Sequence, residues 1–393
     1  MLFIFSILTL FFSRNSESRT TKLSKFSLLL ICSLVYDSSL PMILKKILSP
    51  VASIIKLIIL FFLTLNSNAE ENNIKYFSED KGTLSLMYHR FNENKYPSTN
   101  IQMDIFKKQI EIIKKNGFKF YGPDEFDLNY KNSKTEKKIL ITIDDAFSSF
   151  YLNAWPYLKK NRIPFILFVS TEPIGKFGYM DWNQIKEIDK ENFAFIGNHS
   201  HSHEYLINYD FDKFKEDIDT SIKVFKNNLG YNPKFFSYPF GEYSLEQKIY
   251  IKKKFEYAFG QHSGVIDVNK DKFELPRFPI NEKYGDLERF KFLINLHPLQ
   301  YKNLNPEEKY LNNNNNPPNL TVEFFKDQKN IKNINCFSNE GNLWKKSNIS
   351  IQNNILKIQF REKFKPRRGR INCSLNDQNK WRWFGVQFVL EEN

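Results

Sequence analysis

Across residues 83–279, short β-prone apolar runs alternate with longer stretches of helical period, and that alternation leaves few folds open. Strand, helix, strand is the repeating unit of a parallel sheet, so the expected class is α/β with a β/α barrel architecture. The candidate strands are residues 83–89, 138–144, 165–170, 193–198, 235–240 and 256–260. The clearest helix covers residues 210–229. There Phe211, Phe214, Ile218, Ile222, Phe225 and Leu229 recur at steps of three and four and form one apolar stripe before Gly230, a usual stop.

The flanks differ from this middle. Residues 1–69 are apolar and nearly free of acids, and the best-formed piece, residues 42–69, reads as a secretory signal peptide. Lys45 and Lys46 supply the positive start, residues 57–65 the apolar stretch and Ser67-Asn68-Ala69 the cleavage site, with Met42 as the expected start of translation. The upstream apolar runs, residues 2–12 and 26–35, are each shorter than the about 20 residues that span a bilayer. The expected location is therefore exported, periplasmic or secreted, with a membrane tether if the leader stays on. Residues 312–319, five asparagines followed by Pro317, Pro318 and Asn319, read as a linker between a domain over residues 70–311 and a small β-rich domain over 320–393.

Charge follows the same division. The leader holds 7 Lys/Arg and 2 Asp/Glu, so the remainder carries +8 rather than +13, and residues 320–393 account for +7 of it with 14 basic and 7 acidic side chains. The part that bears the motifs below is nearly neutral, and no nucleic-acid partner is expected. The basic run at residues 361–370 is expected to attract an anionic surface or polymer. Cys336 and Cys373 are an even pair beyond the leader; an oxidising compartment permits a disulfide, and two buried thiols are the alternative.

Three segments carry chemistry. The apolar run Ile139 to Ile143 ends in Asp144-Asp145, two carboxylates at the strand end where β/α barrels place their active sites. One of such a pair can bind a cation whose charge keeps the other ionised as a base. The run Gly197-Asn198-His199-Ser200-His201-Ser202-His203-Glu204 holds three of the chain's 6 histidines. A helix here would put His199 and His203 on one face, whereas a continued strand would put all three on one side. Tyr238-Pro239-Phe240-Gly241 is a turn whose backbone N–H groups suit a developing oxyanion.

In this order and spacing the segments resemble the polysaccharide deacetylase family, the NodB-homology carbohydrate esterases. Thr142-Ile143-Asp144-Asp145-Ala146 matches its TFDDG motif, His199-Ser200-His201-Ser202-His203 its HSxxH motif and Ser237-Tyr238-Pro239-Phe240 its RxPY motif. Leu86-Met87-Tyr88-His89-Arg90 is similar to the MYH opening of the branch acting on exported poly-N-acetylglucosamine. The resemblance spans roughly residues 83–299. It implies a distorted (β/α) barrel and hydrolysis of N-acetyl groups from an extracytoplasmic N-acetylhexosamine polysaccharide. It further implies that Asp145, His199 and His203 bind one divalent metal ion, most often zinc, with Asp144 as general base. Phe240 then offers its N–H to the oxyanion, and His201 and His89 lie in the layer around the ligands.

Two departures bear on mechanism. Ser237 stands where the family has an arginine that orients the catalytic aspartate, and Arg277, stiffened by Pro276 and Pro279 late in the barrel, is the expected substitute. The family's Leu-x-His motif, which supplies a general acid, has its only match at Leu296-His297, so His297 is expected in that role. These departures motivate a second reading, a catalytically weak carbohydrate-binding or export factor that keeps the fold. A third reading keeps the chemistry and directs it at peptidoglycan.

Overall fold

The computed structural model describes residues 82–129, 137–328, 330–365 and 367–390; the expected leader lies outside them. Each expected run forms a strand: β1 (Thr83–Tyr88), β2 (Lys138–Asp144), β3 (Phe165–Val169), β4 (Ala194–Asn198), β5 (Phe235–Ser237) and β6 (Tyr257–Phe259). A short β7 (Phe278–Pro279) joins the other edge. All pair in parallel in the order β7-β1-β2-β3-β4-β5-β6. The side between β6 and β7 is crossed by one bridge, Phe259 to Leu275, which makes the barrel a distorted one.

Two-residue alternation decides what each strand shows to the interior. On β2, Ile139, Ile141 and Ile143 join the outer core beneath the helices, whereas Leu140, Thr142 and Asp144 point inward. On β3, Phe165, Leu167 and Val169 face out and Ile166 and Phe168 face in. The inner filling is aromatic, with Phe168, Phe235, Tyr257 and Phe259 buried together. Gly197 on β4 is required by this filling, because a Cβ there would lie 2.4 Å from the Phe168 ring. The helix α1 (Met103–Lys115) packs on the outside through Phe106, Ile110 and Ile113. The expected long helix is α2 (Phe211–Leu229), capped by the Asp210 side chain and ended by Gly230 at φ 84°.

Beyond α3 (Leu287–Leu293), β8 (His297–Pro298) leaves the barrel and pairs with a second sheet. That sheet is built mainly from β9 (Asn335–Ser338), β10 (Arg368–Asp377) and β11 (Lys380–Leu390), in the order β8-β11-β10-β9. Cys336 and Cys373 oppose each other in register on β9 and β10 and are joined as a disulfide. The barrel and this sheet belong to one compact unit. Trp383 Nε1 donates to Ser263 Oγ at 2.9 Å, and Ser263 in turn donates to Asn372 at 2.6 Å. The sheet thus seats on the segment that spans the weakly closed side of the barrel. The asparagine run is tied in as well, since Asn316 exchanges two 2.9 Å hydrogen bonds with the main chain of Phe364.

Candidate active site

The carboxyl ends of β2, β4 and β5 converge on Asp144, Asp145, His199 and His203. Asp144 is fully buried, and its two oxygens receive a forked pair of hydrogen bonds from Arg277, Nη1 to Oδ1 at 2.6 Å and Nη2 to Oδ2 at 2.9 Å. Arg277 is itself fully buried and has other acceptors: Gly260 O at 2.9 Å, Thr142 Oγ1 at 3.2 Å and Ser237 Oγ at 2.8 Å. The side chain that replaces the motif's arginine is therefore an acceptor for the arginine that reaches the aspartate from the other side of the barrel. Burial alone would raise the Asp144 pKa; Arg277, His199 and His89 outweigh it and hold the carboxyl below its ordinary value.

Asp145 opens the loop after β2, with φ 75° there and φ 55° at Ala146. A glycine would relieve Ala146 of about 1–2 kcal/mol of left-handed cost, while its buried methyl contributes about 0.8 kcal/mol, so alanine at the motif's glycine position is nearly neutral. Asp145 Oδ1 lies 3.0 Å from His203 Nε2 and 3.4 Å from His199 Nε2. Burial pushes its carboxyl up, but the two imidazoles prevail and draw it well below the usual carboxylate range. His203 moves the opposite way, raised by Asp145 in spite of burial.

The histidine run adopts neither regular template. His199 continues the inward alternation of β4, and then Ser200 and His203 enter left-handed backbone at φ 70° and 55°, which folds the run back on itself. The turn is held from α2. Asp217 accepts from the N–H groups of His201 and Ser202 at 2.8 and 3.0 Å, and Ser221 bonds Asn198, whose side chain accepts from Ser200 N at 2.8 Å. Asp217 and Ser221 were not expected as site residues, although a carboxylate and a hydroxyl at helical spacing inside an apolar stripe were the available signal. His201 points away and contacts Thr171 Oγ1 at 2.8 Å.

The donor set fits a divalent cation. One ligand atom from each of Asp145, His199 and His203 lies within 4.8 Å of the others. Asp145 Oδ1 and His199 Nε2 are buried polar atoms with no hydrogen-bond partner, so their lone pairs face a common point. His199 Nδ1 sits 2.7 Å from the Ser237 carbonyl oxygen, which accepts only a proton-bearing nitrogen and so leaves the Nε2 lone pair for a metal. One carboxylate and two imidazoles suit zinc and its neighbours.

The remaining expected residues divide. His89 follows Tyr88, which is in register with Ile143, so it stands level with Asp144 at this end of the barrel. Burial lowers its pKa against the pull of Asp145 and Asp144. Phe240 is at φ 58° in a 3-10 turn after β5, its ring 4.9 Å from that of His203. His297 is not at the site. It sits on β8 opposite Arg382, and its neighbour Pro298 is beside Gly82 at the amino end of β1, roughly 20 Å of strand away from Asp144. The Leu-His match records sequence, whereas the topology carries this histidine to the far end. The basic run is also drawn inward: Arg361 pairs with Glu340, and Arg367 and Arg368 pair with Glu242.

Known proteins are similar to this chain in sequence and in fold. Residues 131–260 match the family model described as polysaccharide deacetylase. The chain is 26% identical over 247 residues to a poly-beta-1,6-N-acetyl-D-glucosamine N-deacetylase of Staphylococcus epidermidis, covering 55% of this chain and 85% of that protein. A Staphylococcus aureus protein of the same name is 26% identical over 272 residues, 61% of this chain and 93% of its own. The fold is similar to that of Streptococcus pyogenes deacetylase PplD, solved in complex with acetate, with a TM-score of 0.50, 22% identity and coverage of 54% and 98%. Barrel, motifs and family model agree, and the chain carries a polysaccharide deacetylase domain.

Proposed function

We propose that the protein hydrolyses N-acetyl groups from a poly-β-1,6-N-acetylglucosamine-like polysaccharide outside the cytoplasm, using a divalent metal ion, zinc by the chemistry of its donor set. The observation that carries the reading is the pairing of an arginine-clamped Asp144 with the Asp145, His199 and His203 donor set. A divalent ion held by those three residues supplies Lewis acidity toward water and the N-acetyl carbonyl. Asp144, kept ionised and fixed in orientation by Arg277, takes the proton of the attacking water. The Phe240 N–H donates to the oxygen that gains charge. The proton then passes to the departing amine nitrogen through His89, whose ring burial keeps neutral and able to relay it, the role expected of His297 from sequence. Phe177, fully exposed in the loop after β3, offers a flat apolar surface for a sugar ring. The disulfide and the expected signal peptide support export.

The experiment is acetate release from β-1,6-linked N-acetylglucosamine oligomers by the full chain, with and without a chelator. Release that stops with chelator and returns with zinc is expected. Release from peptidoglycan fragments alone would move the substrate, and no release from either would sink the reading. His89→Ala should abolish turnover while His297→Ala retains it.

A further inference from the structure

Glu242 ends the turn that carries Phe240, and its side chain is 2% exposed. A buried carboxylate needs partners, and the C-terminal sheet supplies them. Arg367, just before β10, donates from Nε to both oxygens at 2.9 Å and from Nη2 to Oε2 at 2.6 Å. Arg368 donates from Nε to Oε1 at 2.6 Å. The Arg367 guanidinium also lies 3.4 Å from the centre of the Tyr205 ring, Tyr205 packs on Phe240 at 4.3 Å, and Phe240 meets His203. From β11, Gln387 Nε2 donates to the carbonyls of Phe240 and Gly241, each at 3.1 Å.

The turn needs such support. Phe240 at φ 58° and Gly241 at φ 69° both occupy left-handed backbone, which a phenylalanine enters only where its surroundings hold it. Gly241 admits no side chain, since a Cβ there would lie 2.5 Å from Gln261 N. The contacts that hold Phe240 thus come from more than 120 residues downstream, from a region that the family motifs do not include.

We infer that the C-terminal sheet is part of the catalytic apparatus: Arg367, Arg368 and Gln387 are positioning residues that clamp residues 238–243 and set Phe240 against His203. The catalytic half of this inference rests on the deacetylase reading; the structural half does not. Released from the clamp, the turn relaxes out of left-handed backbone, and the Phe240 N–H and ring leave their places beside the metal ligands.

The test uses the full chain carrying Arg367→Ala with Arg368→Ala, and separately Gln387→Ala, which removes two hydrogen bonds and no charge and serves if the double variant does not fold. Amide hydrogen exchange over residues 238–243 is expected to quicken about tenfold or more, with exchange in β2 and β3 unchanged. Turnover of acetylated oligomers is expected to fall roughly ten- to a hundredfold, with bound metal unchanged and KM within about twofold. Restoring position 367 as lysine recovers part of the turnover, because lysine returns the charge without the fork. Unchanged exchange over 238–243 overturns the clamp whatever the activity does. Faster exchange with full turnover overturns its catalytic role. Wild-type protein that releases no acetate refutes the deacetylase reading, and the exchange result then decides the clamp by itself.

Discussion

Arg277 and Asp144 are both fully buried, so their pair differs in kind from the exposed lysine pairs elsewhere on the barrel. An exposed pair contributes about 0–1 kcal/mol, whereas removing one partner of a buried pair leaves an uncompensated charge at a cost of about 3–5 kcal/mol. Arg277→Ala is therefore expected to lower stability by that amount in urea unfolding and to cut acetate release roughly ten- to a thousandfold. Arg277→Lys should recover only part, and full turnover in the alanine variant would mean that another group orients Asp144. His199→Ala and His203→Ala are expected to lose bound metal while His201→Ala keeps it; equal loss in all three, by metal analysis, would contradict the donor set. Arg277 was legible in the sequence because the motif left a carboxylate without its cation and a stiff late segment offered the best candidate. His297 misled because a two-residue match does not say at which end of a barrel its histidine emerges. His89 was legible through the MYH opening, and the register of β1 with β2 sets it level with Asp144.

At the level of elements, the strands were legible because each is an apolar run between helical stretches, and α2 because its stripe keeps one period for five turns. The histidine run was not, since neither a helix nor a strand describes it: two left-handed residues and a carboxylate from α2 set its path. Asp217→Ala leaves two loop N–H groups without their acceptor, and metal affinity is expected to weaken about ten- to a hundredfold; titration with zinc against a competing chelator measures it, and unchanged affinity would show the loop to be held otherwise. The pair of cysteines beyond the expected leader was legible, but their bonding needed the register of β9 and β10. Opening this disulfide, which closes a 37-residue separation, should cost about 2–5 kcal/mol. Urea unfolding of Cys336→Ala with Cys373→Ala reads that cost, and an unchanged midpoint would mean that the sheet needs no staple.

At the level of the whole molecule, barrel and sheet meet around His262, near Glu274, Trp383 and Gly385. Burial is the main force lowering its pKa to about 4; Lys309, Arg277 and Lys248 add to it, and Glu274 opposes. The folded state therefore keeps His262 neutral, while the unfolded chain takes up a proton below about pH 6.5. Stability from this group is present above pH 6.5 and is lost as the pH falls toward 4, by at most about 3 kcal/mol. His262→Gln should flatten that stretch of the pH–stability curve; equal losses from pH 7 to 5 in both proteins would exclude the assignment. Composition alone marked residues 320–393 as something added to the barrel, because linker-like asparagines and surplus charge say nothing of what the charges touch. The order of synthesis gives the Glu242 contacts a further meaning. Asp145, His199, His203 and Arg277 all precede β10, so a chain interrupted between β8 and residue 367 would carry the whole donor set yet still hold an unfinished turn. On the deacetylase reading, such a shortened chain would keep the means to bind an ion and lose the means to use it, so a count of intact metal donors would overstate the number of working molecules.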